Sequence, residues 1–281
     1  LEKERNSNHR NQQSEVVVQA LFLDYDGTIG PLNVSRSESK LSPENMAVLC
    51  QISRRIPVAV ITTKDLAFVV KRTPFAQAWA GLGGLEIKTA NKVTKDPCLR
   101  KMATHLATAL KYAKSLSGDG LMIEEKRDSD GATAAFSVDW RQAANRPRAE
   151  QVASKIVAHC KTLPITTIEY EGQPFFDVFP CPFNKGEALL KLKQSLGLCS
   201  GILYMGDSSV DNPAFEAANI AVGVIHEETP ENLVCEHYVK FEDITAFLND
   251  LLENRFRFNP KSPMIIHKTQ VLEHIRRTRT K

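Results

Sequence analysis

Two carboxylates spaced two residues apart close an apolar run in Leu21-Phe22-Leu23-Asp24-Tyr25-Asp26-Gly27-Thr28, which then breaks into a glycine turn. A carboxylate is a good oxyanion at neutral pH without further activation, so one held against a phosphate ester can attack phosphorus. That attack brings anion to anion, and a divalent metal and a lysine must offset the repulsion. Three other polar signals follow apolar stretches or open helices: Thr62-Thr63-Lys64-Asp65, Asn184-Lys185-Gly186 and Gly206-Asp207-Ser208-Ser209-Val210-Asp211. Taken singly, several have an ordinary reading. Asp24 and Asp26 can cap a loop as an Asx-turn, Thr62 can be an N-cap, and Lys185 can be a solvated residue at a helix start. Asp207 and Asp211 resist such a reading, because two acids at one strand end repel unless a cation or partner binds them.

The elements that must position these groups show in the apolar pattern. Val16 to Val18 and Ala20 to Leu23 read as a strand buried on both faces. Ser42-Pro43 reads as an N-cap with proline at N1, opening a helix to about Arg54, and Pro57 leads into a second strand at Val58 to Ile61. A third apolar stretch lies at Ala78 to Leu82. The core pattern resumes with a helix at 187–196, a strand at 202–205, a helix at 213–218, a strand at 220–224 and a helix at 244–252. Strand, helix, strand with short joins predicts an α/β fold with a doubly wound parallel sheet, and the four polar signals then converge on one crevice at the strands' carboxyl ends. Between them the texture changes: a long helix at 99–116, strands at 121–126 and 132–140, a helix at 148–162, and strands at 166–170 and 175–179. Paired strands with helices on one side predict an inserted α+β module. The division expected is a disordered arm at 1–15, a discontinuous core at 16–95 and 180–254, an inserted cap at 96–179, and a basic tail at 255–281.

At 281 residues and 42% hydrophobic, the chain can bury a sizeable core. No run approaches the ~18 apolar residues of a membrane span, and residues 1–15 lack the apolar centre of a signal peptide. A cytoplasmic protein is the expectation. The six cysteines (Cys50, Cys98, Cys160, Cys181, Cys199 and Cys235) contain no C-x-x-C pair, which predicts small buried hydrophobes in a reducing compartment, with neither structural zinc nor disulfides. The net charge of +3 conceals a tail, Arg255 to Lys281, in which eight Lys/Arg face Glu273 alone. Such a tail is either a solvated C-terminal helix or a contact for nucleic acid or an acidic protein partner. Nothing else supports nucleic-acid binding.

The ordered set Asp24-Tyr25-Asp26-Gly27-Thr28, Thr62, Lys185-Gly186 and Gly206-Asp207-x-x-x-Asp211 resembles the haloacid dehalogenase-like phosphatases, whose fold is a Rossmann-like core, and the 96–179 insertion resembles the α/β cap of that superfamily's sugar phosphatases. From about Ala20 to Leu252 the chain most resembles the trehalose-6-phosphate phosphatases. Gly81-Leu82-Gly83-Gly84-Leu85-Glu86 is similar to a Gly-x-His-Gly-x-Glu stretch of that family, with Gly83 in place of His. Ile123-Glu124-Glu125-Lys126, Asp139-Trp140-Arg141 and Gly172 to Pro180 are similar to its cap motifs, with Asp139 where the family carries His and Asp177 where it carries Glu. The resemblance implies Asp24 as nucleophile, Asp26 as proton donor and acceptor, and Thr62 and Lys185 holding the phosphoryl group. It also implies sugar and phosphate contacts from Gly27, Thr63, Glu86, Glu125, Lys126, Arg141 and Asp177. Asp24, Asp207 and Asp211, with Asp26 beside them, are hard oxygen donors that suit Mg²⁺ rather than zinc. The function expected is hydrolysis of a small-molecule sugar phosphate, trehalose 6-phosphate first. Sucrose phosphate, mannosyl-3-phosphoglycerate or a hexose phosphate are related alternatives. A non-catalytic sugar-phosphate-binding module and a phosphomutase are the alternatives from other classes.

Overall fold

The computed structural model describes residues 16–90, 92–118, 120–170, 172–226 and 232–271. The arm at 1–15, expected to be disordered, and the tail beyond 271 lie outside the described residues. At the centre stands a nine-stranded sheet, in the spatial order Ile266–His267, His237–Lys240, Ile220–Ile225, Ile202–Gly206, Ala20–Leu23, Val58–Ile61, Ala78–Gly81, Glu86–Thr89 and Lys92–Lys95. The six strands from His237–Lys240 to Ala78–Gly81 run parallel. The α/β core with a mostly parallel central sheet is the one the apolar pattern predicts; three pairings at its edges, outside that pattern, are antiparallel. Short edge strands carry no long apolar run, so the pattern that finds buried strands passes over them. No helix among the described residues is long and apolar enough to cross a membrane.

Every residue of Ala20–Leu23, Val58–Ile61, Ala78–Gly81 and Ile202–Gly206 is buried, as a parallel sheet covered on both faces requires. Alternate side chains go to opposite faces. Leu21, Leu23, Val58, Val60, Leu203 and Met205 pack with Val48, Leu49, Val69, Phe247 and Leu251 on one side. Phe22, Ala59, Ile61 and Tyr204 pack with Ala188, Leu189, Leu192 and Phe215 on the other. Each fully buried Leu, Ile or Phe contributes about 1.5–3 kcal/mol relative to exposure. The helices of the first face are Pro43–Ile52, Leu66–Arg72 and Ile244–Glu253; those of the second are Lys185–Ser195 and Asn212–Ala217. Ser42 caps Pro43–Ile52 by accepting the Asn45 amide at 3.0 Å.

A separate antiparallel sheet, in the order Met122–Arg127, Thr133–Asp139, Phe175–Phe179 and Thr166–Glu169, forms the cap. The long helix read at 99–116 breaks at Met102 into Cys98–Lys101 and Ala103–Leu116. That second helix and Arg146–Cys160 cover one face of the cap sheet, burying Leu106, Leu110, Phe136, Val138, Ile156, Phe176 and Val178. The opposite face carries Glu124, Lys126, Ser137, Asp139 and Asp177 towards the core.

A further expectation is corrected. Cys98 and Cys181 form a disulfide with Cα atoms 6.3 Å apart; their separation of 83 positions in sequence hid the pairing, and with it goes the support that unpaired cysteines lent to a reducing compartment. The described part of the tail packs on the core up to its last four residues, 268–271, which are helical; the rest of the expected helix lies outside the described residues. Arg257–Phe258 pairs with Val16–Val17, Ile266–His267 adds an edge strand, and Phe258, Ser262, Ile265 and Val271 are buried.

Gly186 opens the helix that carries Lys185, and a Cβ there would overlap the backbone carbonyl of Pro213. Gly186→Ala is therefore expected to cost about 1–3 kcal/mol, read as a Tm several degrees lower by thermal denaturation. An unchanged Tm would mean that the contact between the 185–195 and 212–217 helices gives way at no cost.

Candidate active site

The sheet register assembles the site. Leu23 lies opposite Met205 and Val60 in parallel ladders, and the Asp24 amide donates to the Met205 carbonyl at 2.9 Å. The residues following each of those strands, Asp24, Thr62 and Asp207, thus emerge together at the carboxyl edge. The chain leaves Ala20–Leu23 towards Val58–Ile61 on one side and later returns to Ile202–Gly206 on the other. This reversal of strand order is where open α/β sheets leave a crevice.

Lys185 lies at the floor of that crevice, 2% exposed, with Nζ 3.0 Å from Asp24 Oδ1 and 2.7 Å from Asp211 Oδ1. Asn184 aims it by capping the helix, its side-chain oxygen accepting the Gly186 and Glu187 amides at 2.8 and 3.1 Å. Asp211 is fully buried and has both oxygens committed. Oδ1 also accepts the Tyr204 hydroxyl at 2.6 Å, while Oδ2 accepts the Ser208 amide and hydroxyl at 3.0 Å and the Asp207 amide at 3.2 Å. Carboxylate oxygens of Asp24, Asp207 and Asp211 lie within 4.8 Å of one another. Burial pushes the pKa of Asp24 up to about 7, with Lys185 opposing and Asp211 adding to the rise. Burial, then Asp24 and Asp211, hold Asp207 well above the usual carboxylate range. Burial works against charge on Lys185, but Asp211 and Asp24 outweigh it and raise its pKa. Three converging carboxylates served by one lysine are short of positive charge, and hard oxygen donors so placed fit a divalent cation such as Mg²⁺.

The 24–30 loop is held from both sides. Gly27 has φ +74°, and a Cβ there would overlap the Asp207 carboxylate, so the loop passes this close only as glycine. His226 Nε2 lies 2.6 Å from the Gly27 carbonyl oxygen. Asp26 turns away from the three-carboxylate group: its side chain accepts the Ser39 hydroxyl at 3.1 Å and lies 3.6 Å from Lys64 Nζ. Any metal contact from Asp26 would therefore not come from its carboxylate as placed. Thr62 is buried, with its hydroxyl oxygen accepting the Lys64 amide at 3.2 Å, and Thr63 reaches the cleft surface.

Above this floor the cap and core enclose a cleft of about 1730 Å³. Lys126 and Asp177 face it as a buried ion pair at 2.8 Å, and the same carboxylate accepts from Ser137 and, at 2.9 Å, from Tyr170. Burial pushes the Asp177 pKa up, but Lys126 and these hydroxyls outweigh it and hold it low. Arg141 also lines the cleft, donating through Nε at 2.9 Å and Nη2 at 2.5 Å to Asp139 and through Nη1 at 3.2 Å to Asn33 of the core. Across the opening, Arg36 of the core reaches Glu124 of the cap at 2.9 Å and Asp65 at 2.6 Å.

Of the residues expected to hold substrate, Thr63, Lys126, Arg141 and Asp177 line the cleft, as do Asp24, Asp26 and Lys185 of the expected catalytic set. Glu86 and Glu125 do not, and both expectations are corrected. Glu86 is fully buried under the cap's 127–133 turn, accepting the Ser129 amide at 2.8 Å, with Lys95 at 3.7 Å. Glu125 turns to Lys114, Arg127 and Thr133 on the far side of the cap sheet. The carboxylate at the cleft is Glu124, which the sequence reading passed over. Strand alternation marked it, since Glu124 and Lys126 share a face and Glu125 cannot. Ser137 and Tyr170 carried no signal short of the cap register.

No family model matches the chain. It is 28% identical over 241 residues to a probable trehalose-phosphate phosphatase 2 of Oryza sativa subsp. japonica, covering 76% of this chain and 62% of that protein. It is 26% identical over 213 residues to a trehalose-phosphate phosphatase of Mycobacterium tuberculosis, covering 70% of this chain and 50% of that protein. The chain thus spans only part of the length of the curated relatives it matches. Its fold is similar to the C-terminal domain of a C. albicans trehalose-6-phosphate phosphatase, with a TM-score of 0.68 at 17% identity, covering 85% of this chain and 93% of that one. A sugar phosphatase of haloacid dehalogenase subclass IIB superposes with a TM-score of 0.55 at 11% identity, covering 84% and 99%. These likenesses establish the fold: an α/β core with a mostly parallel sheet, and a separate antiparallel cap.

The raised carboxylate pKa values set a pH dependence. The folded, metal-free protein retains protons that the unfolded chain releases near 3.8, so its stability falls as pH rises from about 4 through about 7. A cation that relieves the repulsion is expected to raise Tm more at pH 8 than at pH 5, measured by thermal unfolding with and without MgCl₂. Asp207→Asn is expected to raise the metal-free Tm at pH 8 and to abolish the Mg²⁺ increment. Equal increments at both pH values would contradict the assignment.

Proposed function

We propose that this chain, which is similar to trehalose-6-phosphate phosphatases, is a member of the haloacid dehalogenase superfamily and a Mg²⁺-dependent sugar-phosphate phosphatase whose substrate is trehalose 6-phosphate. The observation that carries this reading is Lys185, held between Asp24 and Asp211 at the floor of a cleft whose roof is the polar face of the cap. A binding module has no need of a buried nucleophile so served.

In this reading Asp24 attacks phosphorus in line, and the bond to the sugar oxygen breaks as the Asp24–phosphorus bond forms. Asp26 gives the departing oxygen a proton and then takes one from the water that hydrolyses the aspartyl phosphate. Ser39 and Lys64 orient it for both transfers. Lys185 stabilises the equatorial phosphoryl oxygens from a site where burial strengthens every charge interaction. A bound Mg²⁺ held by Asp24 and Asp207, with Asp211 behind them, would neutralise charge between carboxylate and phosphate. Sugar hydroxyls would pair with Glu124, Lys126, Asp177 and Tyr170, donors and acceptors that a shallow hydrophobic wall would lack.

The test is inorganic phosphate release from trehalose 6-phosphate, sucrose phosphate, a hexose phosphate and mannosyl-3-phosphoglycerate, each with Mg²⁺ and with EDTA. Release from trehalose 6-phosphate that EDTA abolishes is expected, and Asp24→Asn should lower kcat by at least about 10³-fold while substrate still binds. Preference for another sugar would keep the chemistry and refute the substrate. No release from any of them would refute the enzymatic reading. Lys126→Met is expected to raise KM about tenfold or more with a smaller effect on kcat, since it removes a sugar contact and leaves Asp177 unpaired in the roof.

A further inference from the structure

The chain crosses between core and cap twice, through Asp96-Pro97-Cys98 on the way out and Phe179-Pro180-Cys181 on the way back, and the disulfide joins these two crossings to each other. From the geometry we infer that Cys98 and Cys181 form a reversible thiol–disulfide exchange site, open to a small dithiol, whose oxidised state holds the cap and Lys185 in the working arrangement.

The surroundings of the bridge make it a joint. Leu82 and Leu85 of the core, Leu99, Ala135 and Phe179 of the cap, and Phe183 of the return crossing pack around the two cysteines. Phe179 and Phe183 meet edge to face with centroids 4.7 Å apart, and Phe183 lies so close to Gly83 that a Cβ there would overlap its ring. Cys181 precedes Lys185 by four residues, and Pro182 stiffens the span between them. Whatever sets the position of Cys181 therefore sets the start of the helix that delivers Lys185 to Asp24. Outside this joint the described polar contacts between core and cap include Arg36 and Lys64 with Glu124, Lys95 with Asp128 and Asp130, Arg141 with Asn33, and the Ser129 amide on the buried Glu86. The exposed pairs part readily in water, and none of these contacts is covalent, so the disulfide is the tie among them that cap movement cannot break. Both cysteines are half-buried; of the free thiols, Cys160 and Cys235 are buried, Cys50 is half-buried and Cys199 is exposed, the last two away from the crossings.

The exchange balances without further reactants. One thiolate of a dithiol attacks a sulfur of the bridge, forming a mixed disulfide and releasing the other cysteine as a thiolate. The second thiol of the reagent then displaces the first, leaving two protein thiols and a cyclic reagent disulfide. An oxidised small disulfide such as glutathione disulfide reverses it, closing the bridge and releasing two reduced glutathione molecules.

The activity arm rests on the phosphatase reading; the exchange arm does not. Wild-type protein with the bridge closed, the same protein reduced with dithiothreitol, and a Cys98→Ser/Cys181→Ser variant are compared well below Tm. Reduction is expected to speed amide hydrogen exchange at 96–101 and 179–185, and to lower kcat/KM on the order of tenfold. Glutathione disulfide should restore both in the wild type, and the variant should match the reduced protein and ignore both reagents. Tm is expected to fall on the order of 10 °C on reduction. A fall in Tm with unchanged exchange at the crossings and unchanged kcat/KM would make the bridge a structural staple only and overturn the proposal, as would an equal response to dithiothreitol in the variant. Faster exchange at the crossings in a protein that releases no phosphate in any state would uphold the exchange site and refute the phosphatase reading instead.

Discussion

A buried lysine between two buried carboxylates, Asp24 and Asp211, with the half-buried Asp207 beside them, is the constraint around which the core is organised. Lys185 cannot give up its partners, because an unpaired charge at 2% exposure costs several kcal/mol. Its neighbours must therefore be delivered by separate elements to within hydrogen-bond distance. The parallel register delivers Asp24 and Asp207, the tight approach at Gly206 makes room for Asp211, and the Asn184 cap aims Lys185 itself. Tyr204 and Ser208 satisfy the lone pairs that remain on Asp211. The arrangement is still short of positive charge, and the raised pKa of Asp24 is the measure of that shortage.

The cap solves a different problem. Its sheet must bury one face against two helices while presenting polar groups on the other, and strand alternation does both at once. Phe136, Val138, Phe176 and Val178 go into the cap core, and their sequence neighbours Ser137, Asp139 and Asp177 go to the cleft. The cations on this face are paired with carboxylates, Lys126 with Asp177 and Arg141 with Asp139, so the roof offers hydrogen bonds with little net charge. A wall of that kind discriminates by the positions of hydroxyls, where an unmatched polar group is costly. In the proposed phosphatase, attraction to the anionic end of the substrate would fall to the floor, where Lys185 lies between Asp24 and Asp211.

The two parts meet at a joint with its own chemistry. Apolar packing of Leu82, Leu85, Leu99 and Phe179 around the Cys98–Cys181 bridge gives the crossings a defined geometry, and Phe183 continues that order to the helix that carries Lys185. The glycine at position 83 belongs to the same account: no larger residue fits beneath the Phe183 ring at φ +69°.

Local chemistry was legible in the sequence, and long-range partnership was not. Asp24, Asp26, Lys185, Asp207 and Asp211 declared themselves because each sits where an apolar run stops or a helix starts, and the parallel core followed from runs such as Val58 to Ile61 that are buried on both faces. The antiparallel edges, the Cys98–Cys181 pair and the packing of the tail stayed hidden, since short strands and distant cysteines leave no periodic signal. On the cap, the sequence determined that Glu124, Glu125 and Lys126 are charged and consecutive; only the fold of the sheet against the core decided that the first and third face the cleft while the second turns to Lys114. The reason is physical. A strand's alternation says which residues share a face, but which face is buried, and against what, depends on contacts between segments far apart in the chain.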